Sequence, residues 1–332
     1  MCDFVVISDN ARNQSIDIYM KYHLKTIFVF IVVCLISGNA PAQKIRKTIK
    51  PKTTATVRFP IFAVTNASEK GPVMLEPIAI VENGSLAETA EGNDVEKSVK
   101  AFQGEFYRAK TAYELVFGGV PVGKIIVKPG DLSGECSGNR AEASLSPANS
   151  SVKGLVMALA TNAKLSNPQP SYRRKPTTEE RTEIEKLVRA EFKEQNVPDA
   201  AVKKLRYQNL TALDVDHDGE PEFVGSYWTE TAADRRDLLF FIAETGADGA
   251  YSLTYKDYGK VTPNDVMSGD VKDLDSGIGH ELLLDVLDYD NDGVSEIFTI
   301  GRAFEGNNFY VYKRKGANWE KVFEGYNYHC AY

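Results

Sequence analysis

The chain has 332 residues, with 39 Lys and Arg against 46 Asp and Glu and a formal net charge of −7. An acidic chain offers nucleic acid or an anionic membrane surface no electrostatic attraction, which excludes both as expected partners. The length suffices for two ordinary domains with separate cores.

Residues 20–43 read MKYHLKTIFVFIVVCLISGNAPAQ. Lys21, His23 and Lys25 make a short basic start, Ile27 to Ile36 is an unbroken apolar run, and Ala40-Pro41-Ala42 offers a cleavage point before Gln43. The pattern predicts a signal peptide over 20–42 and a secreted or periplasmic protein. Met20 is then the better start, leaving 1–19 as an upstream extension called in error. The apolar run falls short of the roughly 20 residues of a membrane span, so none is expected in the mature chain. Removing residues 1–42 takes away three basic and three acidic residues, and the charge stays at −7. Cys136 and Cys330 remain, and in an oxidising compartment they form a bridge or stand as two separate thiols. There is no CxxC pair, which argues against structural zinc.

Residues 43–56 are basic, polar and without pattern, as a tether would be. From 57 to 163 short apolar runs alternate with turn residues. Asn83-Gly84 marks a tight turn in PIAIVENGSL, and Gly118-Gly119 bends YELVFGGVPVGKIIVK into a hairpin. This predicts a small β-sandwich or barrel without a catalytic constellation. The proline-rich segment 164–176 reads as a linker. An amphipathic helix follows, with Thr177 and Glu180 as a capping box and Ile184, Leu187, Val188 and Phe192 on one face. Asn196 and Pro198 end it.

Beyond Leu205 the period becomes that of strands, in two repeats over 205–258 and 279–328, with 259–278 inserted between them. In each, four strands are predicted, and an aspartate-rich loop joins the first to the second. The loops are LDVDHDGEPEFVG, from 213, and LDYDNDGVSEIFTI, from 287. Crowded carboxylates repel one another unless a cation sits among them. Calcium takes six to eight oxygens, and alternating aspartates in a tight loop direct theirs inward from positions one, three and five. Glycine at six permits the turn, the carbonyl at seven faces the ion, and an acid at nine closes the far side. The first ligand set is therefore Asp214, Asp216, Asp218, the Glu220 carbonyl and Glu222. The second is Asp288, Asp290, Asp292, the Val294 carbonyl and Glu296. His217 and Asn291, at position four, should point away. Two Ca2+ sites are expected. An EF-hand would need a glutamate at position twelve and flanking helices; position twelve here is Gly225 or Thr299, with strand-like sequence on both sides.

Aspartate loops that end in an acid at position nine and run straight into a strand resemble the FG-GAP repeats of integrin-α-type propellers and the VCBS-type repeats of secreted bacterial proteins. The resemblance covers the two repeats and implies propeller-blade-like, four-stranded units. The expected fold is thus mainly β: a sandwich- or barrel-like domain, one amphipathic helix and two blade-like repeats within 177–332. No GxSxG or HExxH occurs, and the mature chain keeps three histidines, His217, His280 and His329. Asp273 and Asp275 imitate a carboxylate pair, but in an acidic chain such pairs are ordinary surface. The favoured reading is a non-catalytic binding, adhesion or scaffold module for a protein or carbohydrate ligand, with Tyr227, Trp228, Tyr326, Tyr328 and Tyr332 as candidate contacts. The alternative is a secreted, calcium-stabilised hydrolase with a site between the two domains.

Overall fold

A computed structural model describes residues 57–66, 72–90, 95–130, 138–146, 157–246 and 248–329, all within one compact unit, Ala55–Tyr332. The expected extension and signal peptide, the tether, Cys136, Cys330 and Tyr332 lie outside the described residues. The protein is mainly β, built from several antiparallel sheets.

The first part comprises β1 (Arg58–Asn66), β2 (Val73–Glu82), β3 (Ser85–Ala87), α1 (Val95–Phe106), β4 (Ala112–Phe117), β5 (Val120–Val127), β6 (Ala141–Ser146) and β7 (Met157–Thr161). Its strands run in the order β1-β7-β4-β5-β6-β2-β3, and β1 also pairs with β2, which closes six of them into a barrel. Asn83 and Gly84 (φ 52° and 85°) turn β2 into β3, and Gly118 and Gly119 (φ 65° and 79°) turn β4 into β5. Both are the left-handed pair that a two-residue hairpin turn requires. Phe62, Val64, Leu75, Tyr113, Leu115 and Ile125 fill the interior with Phe102 and Phe106 of α1. Helix α1 was not expected in a stretch read as all β, although Val95, Val99, Phe102 and Phe106 recur at helical spacing; the two phenylalanines are its buried apolar side chains.

The second part comprises α2 (Thr178–Glu194), a short α3 (Asp199–Val202) and two antiparallel meanders. The first meander is β8 (Arg206–Leu213), β9 (Glu222–Ala232), β10 (Arg235–Thr245) and β11 (Tyr251–Val261); the second is β12 (Glu281–Leu287), β13 (Glu296–Ala303), β14 (Gly306–Lys315) and β15 (Asn318–Tyr328). Between them lie two short 3-10 turns, Pro263–Asp265 and Val271–Ser276. The capping box of α2 forms as expected: Glu180 N–H donates to Thr177 Oγ1, and Thr177 N–H to Glu180 Oε2.

The layers follow from which strands are apolar on both faces. Phe62 and Val64 of β1 point into the barrel, while Phe59, Ile61 and Ala63 pack outward on Leu284, Phe298, Phe309 and Val311 of the second meander. On its far side that meander presents Leu283, Val286, Ile297 and Tyr312 to Val224, Phe240 and Ile242 of the first. The first meander in turn packs Phe223, Tyr227, Leu239 and Phe241 against Ile184, Val188 and Phe192 of α2. Barrel, second meander, first meander and helices thus stack in series. Tyr227 and Trp228 are buried, 2% and 3% exposed, and belong to this core rather than to a contact surface; Tyr326 and Tyr328 are exposed.

Asp285 of β12 fixes the barrel to the second meander. Its side chain is fully buried, Oδ2 accepts the Gly118 N–H at 2.7 Å, and Oδ1 lies 3.4 Å from Arg173 Nη1. Burial pushes its pKa up to about 7, against Arg173 and the Gly118 N–H. Since an unfolded carboxyl titrates near about 4, ionising Asp285 costs the folded state. Its contribution is therefore full below about pH 4 and is lost as pH rises through about 7. Asp285→Asn, which keeps an oxygen for Gly118, is expected to flatten the stability–pH curve over that window. Asp285→Ala, which strands Arg173 and Gly118, should cost about 3 kcal/mol in urea unfolding. A loss below about 0.5 kcal/mol, the scale of ordinary surface substitutions, would remove Asp285 from this role.

The chain next to the two cysteines is also brought together. Asn139 N–H donates to Asn327 Oδ1 at 3.3 Å, and a Cβ on Gly138 would fall 2.6 Å from the Tyr328 carbonyl oxygen. Non-reducing peptide mapping of protein made in an oxidising compartment is expected to return a Cys136–Cys330 linked pair. Two alkylatable thiols would exclude it.

Candidate metal centre

The two acidic loops connect β8 to β9 and β12 to β13, at equivalent places in the two meanders. Their backbones match. His217 and Asn291, at position four, have φ of 62° and 61°, and Gly219 and Gly293, at position six, have φ of 92° and 95°. Glycine carries the second of these left-handed positions at no steric cost. The internal hydrogen bonds match as well. Gly219 N–H donates to Asp214 Oδ2 at 3.2 Å, and Gly293 N–H to Asp288 Oδ2 at 3.0 Å. Glu220 N–H reaches Asp218 Oδ1 at 2.8 Å, and Val294 N–H reaches Asp292 Oδ1 at 3.0 Å. At position nine, Glu222 Oε2 accepts the Val215 N–H (2.9 Å) and Glu296 Oε2 the Tyr289 N–H (3.3 Å). Ser295 N–H donates to the Val215 carbonyl at 2.9 Å, so the loops lie side by side.

In the first loop Asp214, Asp216 and Asp218 bring carboxylate oxygens within 4.8 Å of one another; in the second, Asp288, Asp290 and Glu296 do so. Two clusters of hard oxygen donors able to hold a metal ion are therefore present, drawn from the residues that sequence spacing selected. Glu222 and Asp292 stand outside these trios and turn toward cationic side chains. The carbonyls of Glu220 and Val294 follow the two left-handed glycines. Asn291 Oδ1 accepts the Ser166 N–H at 2.7 Å, which ties the second loop to the linker. His217 and Asn291 line, with Pro168 and Gln169, a cavity of about 180 Å³ between the loops and the linker.

Sequence reasoning missed the cations. Lys313 and Arg314, consecutive on β14, enter different loops. Lys313 Nζ donates to Asp290 (2.6 Å), Asp292 (2.8 Å) and Glu296 (2.7 Å). Arg314 bonds Asp216 through Nη1, and Glu222 (3.2 Å) and Glu244 through Nη2; Trp319 Nε1–H also donates to Glu244, at 2.6 Å. The basic run Lys313-Arg314-Lys315 was visible, but no local rule links it to loops on two other strands. Burial pushes Glu222 up to about 8, helped by Asp216 and Glu244 and opposed by the Val215 N–H and Arg314. Burial likewise pushes Glu296 up to about 8 against Lys313. Asp288 is raised by burial, whereas Asp292 is held low despite burial by the Lys313 bond and the Val294 N–H. Buried carboxylates of this kind ionise readily only beside positive charge.

Other features noted in the sequence are accounted for. Asp275 pairs with Arg236 (2.8 Å), and Asp273 accepts the Ser268 hydroxyl. His280 is buried, its Nε2 2.8 Å from the Leu274 carbonyl oxygen. His329 lies 3.9 Å from the buried Glu76. Gly225, at the position where an EF-hand carries its last glutamate, leaves room for the Phe241 ring, whose Cζ would lie 2.6 Å from an added Cβ. Among the described residues no helix is long and apolar enough to cross a membrane. The chain matches no protein-family model, and no curated protein and no solved structure matches it.

Arg314 crosses from the second meander to the first, and its removal would leave Glu222 and Glu244, 4% and 12% exposed, without their cation. Arg314→Ala is expected to lower stability in metal-free buffer by about 3 kcal/mol, as for a broken buried pair. A loss under about 1 kcal/mol in urea unfolding would reduce these bonds to ordinary surface pairs.

Proposed function

We propose that this chain is an exported calcium-binding protein of the FG-GAP/VCBS type. In this reading the two meanders are blade-like repeats and the loops hold one Ca2+ each. The protein acts as a non-catalytic binding, adhesion or scaffold module toward a protein or carbohydrate. The observation that carries the reading is the repetition of one loop. The same left-handed positions, the same aspartate–amide bonds and the same buried position-nine glutamate occur at the same place in two four-stranded units. A solvated turn has no need of that duplication, nor of four carboxylates within nine residues. The all-oxygen donor set favours calcium over transition metals, which prefer histidine or thiolate, and over magnesium, which keeps more of its water.

The hydrolase alternative, expected between the two domains, would have there a cleft of about 310 Å³ lined by Ile78, Glu88, Thr89, Asn308, Glu324 and Tyr326. A second groove, between the two meanders, is about 210 Å³ and carries Ser226, Asp257, His280, Glu281, Arg302 and Tyr310. Burial pushes Glu281 up to about 7, but its Oε1 already accepts from Thr299 Oγ1 and from the Tyr312 hydroxyl at 2.7 Å. His280 is committed to a backbone carbonyl. With no activated nucleophile and base in reach of each other, the binding module is the better fit. The exposed rings of Tyr326 and Tyr328 on β15 suit sugar stacking or protein contact.

Calcium should stabilise the fold by mass action. With a dissociation constant of about 0.1 mM, as in extracellular modules, and about 1 mM free calcium, each site contributes about 1.4 kcal/mol. Because barrel and meanders share a core, calorimetry is expected to show one transition that moves up with calcium and down with chelator. Asp218→Ala and Asp292→Ala should each remove most of one site's share. Superimposable traces with calcium and with chelator would sink the calcium reading.

A further inference from the structure

The two basic side chains on β14 occupy their loops differently. Lys313 Nζ is within 2.6, 2.8 and 2.7 Å of carboxylate oxygens from Asp290, Asp292 and Glu296, at positions three, five and nine. Those are three of the directions from which an ion in that loop would be held. Of the trio Asp288, Asp290 and Glu296, the ammonium takes two members. Arg314 touches only Asp216 of the trio Asp214, Asp216 and Asp218; it also bonds Glu222, at position nine, and Glu244, but not position five. The chemistry of the two groups fits this difference. An ammonium is a compact point charge with three donors, closer to a bare cation than a planar guanidinium is. Its four-carbon stem is flexible, and the Lys313 side chain is 28% exposed, so it has a way out to solvent.

We propose that Lys313 is a tethered cation which sits in the second loop's ion position and which a divalent ion must displace, so that the second loop fills at higher calcium concentration than the first. The inference rests on the calcium reading of the loops and adds a built-in competitor to one of them. A site available only when Lys313 has left binds more weakly in proportion to that available fraction; a fraction of about one in ten costs about tenfold. Arg314 holds positions three and nine of the first loop but leaves Asp214 and Asp218, at positions one and five, outside its reach, so that loop is handicapped less. The tether also gives the second loop a cation when calcium is absent, so its carboxylates are never left without a partner.

Isothermal titration of the full exported chain with CaCl2 is expected to show two classes of site at least about tenfold apart. Asp218→Ala should abolish the tighter class. Lys313→Met should strengthen the weaker class by about tenfold or more and leave the tighter one in place. In the unaltered protein, acetylation of Lys313 by an N-hydroxysuccinimide ester, read by mass spectrometry, should rise as calcium is added. This second measurement stands even if Lys313→Met folds poorly. Equal affinities at both loops, or Lys313 labelling that is constant or falls with calcium, would overturn the proposal while leaving the calcium reading intact. An equal gain at both loops on Lys313→Met would also overturn it, since removal of a distant charge explains that. No calcium binding at either loop would overturn both.

Discussion

Nine carboxylates, from Asp214, Asp216, Asp218, Glu220, Glu222, Asp288, Asp290, Asp292 and Glu296, are confined to two adjacent loops, and their mutual repulsion must be offset locally. Backbone amides meet part of the demand: those of Val215, Gly219 and Glu220 in one loop, and of Tyr289, Gly293 and Val294 in the other. Amides donate hydrogen bonds but carry no net charge. The remainder has to come from cations, and among the described residues Lys313 and Arg314 are the ones that enter the loops. Alternation along a strand explains how neighbours in sequence serve different loops. Successive side chains of β14 leave opposite faces, one toward its own meander's loop and the next across to the other meander. The direction of β14 is thereby tied to the placement of both acidic clusters.

The same strand alternation governs the core. A meander with one face to solvent would show apolar residues at every second position. β13 instead buries Phe298 and Ile300 against the barrel side and Ile297 against the first meander, so its sequence EIFTIGRA reads as a nearly continuous apolar run. β1 is apolar from Phe59 to Val64 for a similar reason, with a barrel interior on one side and a meander on the other. Two sets of buried polar groups join the barrel to the second meander. Asp285 with Arg173 and the Gly118 N–H, and Glu76 with Asn307 and Asn327, lie where the barrel meets the second meander. Buried carboxylates held by several donors fix one orientation of the two layers, where apolar contact alone would tolerate sliding.

Much of this was legible because it is local. The Asn83-Gly84 and Gly118-Gly119 turns, the Thr177/Glu180 box and the eight strands of the two repeats each follow from short-range rules, and the structure places them where those rules put them. The donor trios draw on carboxylates at the spaced positions, but spacing alone does not fix their membership, since position five joins in the first loop and position nine in the second. What escaped was, apart from one helix, non-local. Helix α1 carries Val95, Val99, Phe102 and Phe106 at helical spacing, a stripe that was overlooked within a stretch expected to be all strand, and its two phenylalanines pack into the barrel core. Tyr227 and Trp228 read as surface aromatics until the layers on both sides of β9 are known. Lys313 and Arg314 lie 17 and 92 residues from the position-nine glutamates they reach, beyond any periodicity argument.

That last distance has a consequence for what counts as a unit here. The first repeat supplies the acids of its loop but not the cation beside them, because Arg314 belongs to the second repeat. The first repeat also relies on the second for half of its core, through Leu213, Val215 and Val224 against Leu283, Val286 and Ile297. Such units are not autonomous: each meander alone would expose an apolar face, and the first would also carry an acidic loop with no internal countercharge. Even the loop-to-loop bond from Ser295 to Val215 is made between repeats rather than within one. The two loops are alike in local structure, but their electrostatic balance belongs to the pair, through a single strand that only the second meander provides.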